Sequence, residues 1–162
     1  MLTLDIRNDS AADLPPEAAL RAAVEAALTA GGAAPDAEIS LCVVDRGAMR
    51  ALNARYRDRD RPTNVLSFPA ELPPGVPLRH LGDIVLCAPL VAEEARAQCK
   101  AETAHWAHLL VHGTLHLLGH DHIDDAGAVR MEALETRALA ALGWPCPYRG
   151  DDAAGGALAM AP

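Results

Sequence analysis

Aromatic residues are scarce: two tryptophans, two tyrosines and one phenylalanine in 162 residues. The core must therefore be assembled from Ala, Leu and Val. Lysine is scarcer still, since Lys100 is one of fourteen basic residues and the other thirteen are arginine. With so much alanine this reads as GC-rich coding, and the arginine preference alone carries little functional weight. Cys42, Cys87, Cys99 and Cys146 lack any C-x-x-C spacing. That excludes a dithiol redox motif and a thiolate zinc site, leaving ordinary thiols of a reducing compartment. Net positive charge is also lacking. A formal charge of −8 argues against indiscriminate binding to nucleic acid, DNA included. No apolar run approaches the roughly 20 residues of a membrane span. The N-terminus, MLTLDIRND, has no basic region followed by an apolar stretch, as a signal peptide would. A cytoplasmic protein with no membrane partner is the expectation.

What is present reads as one α+β domain over residues 1–149, long enough to bury a sizeable core. Leu2, Leu4 and Ile6 alternate as a half-buried strand. Pro15 and Pro16 open a helix with Leu20, Val24 and Leu28 on one face, and Gly31 and Gly32 end it. Further strands are expected at 38–44, 63–68 and 81–88, and a helix from Ala48 to Tyr56. Residues 70–79 are a proline-rich loop. Three more helices follow, over 89–100, 101–118 and 125–142. Together they predict a small mixed four-stranded sheet packed with about five helices. Strand order is not legible. Residues 150–162, low in complexity, read as a disordered tail.

Residues 112–122, HGTLHLLGHDH, are the most informative stretch. Positions i and i+4 share a helical face, so His112 and His116 can aim two imidazoles at one point. Gly119 falls where the helix should end, and its turn can bring His122 back to that point. Three imidazoles with an open fourth position are the ligand count of a catalytic zinc site. The spacing is that of the zincin helix with its extended third histidine. The glutamate that serves those proteases as general base is replaced by Gly113, which cannot take a proton. A metalloprotease is therefore the least favoured reading. His105 and His108 lie on the same helix and read as core or cleft-lining residues.

Residues 46–61 carry Arg46, Arg50, Arg55, Arg57, Arg59 and Arg61 against only Asp58 and Asp60. A solvated face accounts for most of them. A phosphate-binding patch beside a metal is the sharper alternative, because the guanidinium fork matches phosphate oxygens. Asp83 reads as a residue capping or pairing beside its strand.

HGTLHLLGHDH, with LNARYRDRDRPTNVLSFP at 52–69 and LGDIVLC at 81–87, resembles the YbeY family of bacterial endoribonucleases and rRNA maturation factors. The resemblance spans residues 38–148 and includes HWAH at 105–108 and MEALE at 131–135. It implies a single-domain α+β fold and one zinc per chain held by His112, His116 and His122. It also implies single-stranded RNA as substrate, 16S rRNA 3′-end maturation, and ribosome quality control. The partners would be the small ribosomal subunit and a ribosomal protein or assembly GTPase. Arg57 falls on the family's functional arginine. His120 departs from the pattern, which commonly has tyrosine there. It is either a tolerated change or an added acid or base, since histidine titrates near neutral pH. Without a glutamate at 113, the general base must be Asp121, His120 or a metal hydroxide. Asp121 could equally orient a ligand histidine. The nucleophile is left open between hydroxide and the RNA's own 2′-hydroxyl. The competing reading is a non-catalytic assembly factor in which zinc only holds the fold.

Overall fold

The structure, a computed structural model, describes residues 1–34, 36–71, 80–121 and 123–147. His122, loop residues 72–79 and the tail lie outside the described residues. The elements run β1 (Thr3–Asn8), α1 (Glu17–Ala30), β2 (Glu38–Val44), α2 (Arg46–Arg57) and β3 (Val65–Pro69). They continue with β4 (His80–Cys87), α3 (Ala88–Ala97), α4 (Glu102–Leu117) and α5 (Asp125–Ala141). This is the expected α+β architecture. Helix α2 starts two residues earlier than Ala48, on Asp45 as N-cap. Helix α3 stops short of Lys100, because Cys99 already takes a positive φ of 53°.

The sheet order is β1-β2-β4-β3. β1 pairs parallel to β2 and β2 parallel to β4, while β3 is antiparallel to β4 at the edge. An edge place suits β3, which ends on Pro69, a residue without an N–H to give a further neighbour. Gly82, opposite Pro69, holds φ 143°, and a Cβ there would lie 2.2 Å from the Phe68 carbonyl oxygen. Only glycine allows the two strands to approach so closely at that point.

Alternation along the strands makes two unequal faces. Ile39, Leu41, Val65, Ile84 and Leu86 face a large core shared with α1, α4 and α5. Leu66, Val85 and Cys87 face the other way, with Met49 of α2, in a smaller cluster. Helix α4 lies against β3 and β4 and is flanked by α1 and α5. Twelve of its sixteen residues are buried, so it is surrounded rather than amphipathic. This is why its polar residues need partners inside the protein. As the composition requires, one large aromatic, Trp106, is fully buried among aliphatic side chains.

Candidate metal and phosphate site

On α4, His108, His112 and His116 recur every four residues and share one face. The His112 and His116 rings meet edge to face, with centroids 4.6 Å apart and planes at 68°. Helix α5 packs against this face and places Glu135 opposite it. His108 Nε2 lies 2.9 Å from Glu135 Oε1, and His112 Nδ1 lies 3.1 Å from Oε2. All three side chains are buried. Burial alone pushes the Glu135 carboxyl up, but the hydrogen bonds from His108 and His112 more than reverse it, leaving it at about 2. Burial also lowers the pKa of His108, against the pull of Glu135, so that ring is neutral. An ionised carboxylate accepts only, so each ring turns an N–H toward it. His112 thus turns an Nδ1–H toward the carboxylate, which in the neutral ring makes Nε2 the acceptor nitrogen. That is the tautomer of a metal-ligating histidine oriented by a carboxylate.

The helix ends as its glycine requires. Gly119 takes φ 96°, its N–H reaches the His116 carbonyl at 3.0 Å, and the His120 N–H reaches Leu115 at 3.1 Å. These paired bonds are a Schellman closure. His120 is half-buried on the turn beyond it. Asp121 is exposed and accepts from the backbone N–H of Ile123 at 3.2 Å. Among the described residues no three metal-ligating side chains are gathered into one cluster, and the third histidine of the pattern is outside them. The donor set nevertheless fits a metal. Two imidazoles sit side by side on a rigid helix, and a buried carboxylate fixes the tautomer of one.

A second buried pair braces the helix start. His105 Nε2 lies 2.8 Å from Glu94 Oε1, and Asn64 donates to the same carboxylate at 3.0 Å. Burial raises the Glu94 carboxyl, and the bonds from His105 and Asn64, with the charge of Lys100, outweigh that and lower it. The segment before β3 is thereby tied to α3 and α4.

Arg57 is the last residue of α2. Asp58 follows in the left-handed conformation (φ 57°), which aspartate tolerates better than most residues. The half-buried Arg57 reaches β3, where Nη2 donates to the Ser67 carbonyl at 3.1 Å. Ser67 Oγ in turn donates to the Gly113 carbonyl at 3.2 Å. Arg57 is thus two hydrogen bonds from the residue adjoining His112. The neighbouring arginines behave differently. Arg46 pairs with Glu93, and Arg50 pairs with Asp60 at 2.7 Å, all on the surface. The solvated reading holds for these two.

Gly113 has a packing reason of its own. A Cβ there would lie 3.1 Å from Ser67 Oγ and 3.3 Å from Ile84 Cγ2. Alanine would gain about 1 kcal/mol of helix propensity and lose a similar amount to this crowding. Gly113→Ala is therefore expected to change unfolding free energy by no more than about 1 kcal/mol, read from the denaturation midpoint. A longer side chain has nowhere to go.

Sequence reasoning missed Glu135, Glu94, Asn64 and Ser67. For Glu135 a signal was available: it sits four residues after Met131 and three before Ala138, on the apolar stripe of its helix. A carboxylate in that stripe calls for a buried partner.

The fold and site define a mixed α+β protein whose buried central helix presents carboxylate-oriented histidines beside an arginine. The model of the family described as endoribonuclease YbeY matches residues 5–143. The endoribonuclease YbeY of Alkalilimnicola ehrlichii is 58% identical over 143 residues, 87% of this chain and 86% of that one. That of Halorhodospira halophila is 62% identical over 115 residues, 69% of this chain and 75% of the other. That of Cellvibrio japonicus is 51% identical over 146 residues, covering 90% and 82%. The solution structure of TM1509 from Thermotoga maritima shares the fold, with a TM-score of 0.57 at 21% identity over 88% of this chain and 92% of that one. This chain belongs to the endoribonuclease YbeY family.

Proposed function

We propose that the chain is a zinc-dependent endoribonuclease acting on single-stranded RNA, in 16S rRNA 3′-end maturation and in ribosome quality control. The observation that carries the reading is the pairing of His112 with Glu135 on one side of α4 and of Gly113 with the Ser67–Arg57 chain on the other. One helical turn thus joins a metal-ligand tautomer to a phosphate-binding cation. His112, His116 and His122 would hold one zinc ion. Bound there, it supplies Lewis-acid charge beside a phosphodiester. Arg57 offers its guanidinium to the phosphoryl oxygens on which charge grows. Glu135 keeps the His112 proton on Nδ1. Gly113 leaves no carboxylate where the zincin helix carries its base, so the proton of the attacking group would pass to His120 or Asp121, which follow Gly119.

The test is cleavage of single-stranded RNA by zinc-loaded protein against His112→Ala protein purified identically. Equal cleavage by the two would assign the activity to a contaminant. Arg57→Ala is expected to keep one zinc per chain and to lose tenfold or more in cleavage rate, as removal of a donor to developing charge does. Unchanged activity at matched zinc content would return Arg57 to the solvated surface.

A further inference from the structure

The face of the sheet that bears α2 is only partly covered. It holds a cavity of about 590 Å³, within the range of about 300–1,000 Å³ of small-ligand sites. Its apolar lining includes Leu52, Tyr56, Phe68 and Val85; its polar lining is Asp5, Arg7, Ser40 and Asp83. The sequence suggested that Asp83 caps or pairs beside its strand. Instead its side chain is exposed and lines this cavity.

We propose that this cavity is a nucleobase subsite, which takes one unstacked base of the RNA strand whose phosphate lies at Arg57. The inference rests on the RNA reading above. Tyr56 is 51% exposed at the end of a helix, in a chain with few aromatics to spare. Its ring meets Phe68 edge to face, with centroids 5.2 Å apart. The Arg55 guanidinium lies 5.2 Å from the Tyr56 ring centre, and that of Arg57 lies 5.8 Å from Phe68. Each ring carries a guanidinium over one face and has a second face to offer, and aromatic rings with arginines beside them are the stacking platform of single-strand binding.

Charge sets the orientation. Arg55 and Arg57 stand at the aromatic rings with no carboxylate partner among the described residues, whereas Arg7, which lines the cavity from β1, pairs with Asp9. The phosphate therefore belongs beside those rings. Asp83 lies directly across the ladder from Phe68, so it faces the base stacked there rather than the phosphate at Arg57, and a carboxylate accepts hydrogen bonds from the exocyclic amine of a base. Adenine, cytosine and guanine present such an amine and uracil does not. The subsite therefore favours the first three. Position supports the link to the histidines. Ser67 and Phe68 are consecutive on edge strand β3 and point to opposite faces. A strand passing over that edge at Arg57 reaches both the cavity and α4.

The experiment measures binding of cleavage-resistant 2′-O-methyl oligonucleotides to the whole chain at fixed salt, by fluorescence anisotropy. Oligo-C and oligo-A are expected to bind more tightly than oligo-U. Tyr56→Leu keeps the apolar cover of Phe68 but removes the ring, and should weaken oligo-C binding about tenfold. Tyr56→Phe should bind as the unaltered chain does. Asp83→Ala should bring oligo-C and oligo-U to equal affinity. If the unaltered chain cuts RNA while Tyr56→Leu binds and cuts equally well, the subsite is wrong and this face belongs to a protein partner. No preference among the bases would overturn its selectivity. If the unaltered chain neither binds nor cuts RNA, the RNA reading fails, and the subsite with it.

Discussion

Replacing Glu135 with alanine is expected to cost about 3–5 kcal/mol of stability, as much as truncating the core residues Met131 or Leu139 of the same helix. The carboxylate accepts from two buried rings, so its loss strands two imidazole N–H groups at about 1–3 kcal/mol each and opens a cavity besides. Glu135→Gln separates packing from electrostatics. The amide fills the same volume, but only its oxygen can accept, and its NH2 must face one ring nitrogen. One histidine must then change tautomer. If the amide oxygen faces His112, His108 changes and the metal ligand is spared. The opposite flip spoils the ligand. We therefore expect Glu135→Gln to fold, and to bind zinc about 10–100-fold more weakly. Denaturation midpoints and titration against a competing chelator measure the two effects. Unaltered stability in the alanine variant would show that the bridge between α4 and α5 contributes nothing.

His116→Ala is expected to abolish zinc retention and, with it, RNA cleavage down to background. His116 is only half-buried, so the apo fold should survive its loss. The readout is metal content after dialysis, together with thermal midpoint with and without added zinc. A ligand that binds only the folded state adds about 2.7 kcal/mol at a hundredfold excess over its dissociation constant. The unaltered chain should show this shift and the variant should not. One zinc per chain in His116→Ala protein would sink the ligand assignment. His112→Ala and His122→Ala should lose zinc likewise, and His112→Ala should also lose stability, because it takes away a buried partner of Glu135.

The strands and helices were legible because each carries a simple period. Leu2 and Leu4 alternate, and Leu20, Val24 and Leu28 step by four. Glycine and proline marked several ends, as at Pro16 and Gly31, but β3 begins at Val65, two residues later than expected. Element ends went astray where no such marker stood. The start of α2 is set by Asp45, and the stop of α3 by the positive φ at Cys99, in residues that permit several conformations. Strand order depends on contacts between distant segments and leaves no local trace. The i, i+4 histidines were legible for the same geometric reason as the helix. Their partner was not, because Glu135 lies 23 residues beyond His112 and meets it only when α5 folds back. The Arg57–Ser67–Gly113 chain was hidden for the same reason. It uses backbone carbonyls, which are chemically alike at every position.

The approach of α4 to the sheet at residue 113 also bears on how such a chain could change its chemistry over generations. A protease-like helix requires a carboxylate at that position. Here a Cβ would already press on Ser67 Oγ at 3.1 Å and Ile84 Cγ2 at 3.3 Å, and a glutamate would extend further. Neither neighbour is idle: Ser67 holds Arg57 through its carbonyl, and Ile84 is fully buried in the main core. A glutamate would have to push Ser67 or Ile84 aside, and a shift of β3 would disturb the carbonyl that holds the arginine. Peptide chemistry and phosphate chemistry are thus alternatives at this helix, kept apart by a contact of about one atom's width.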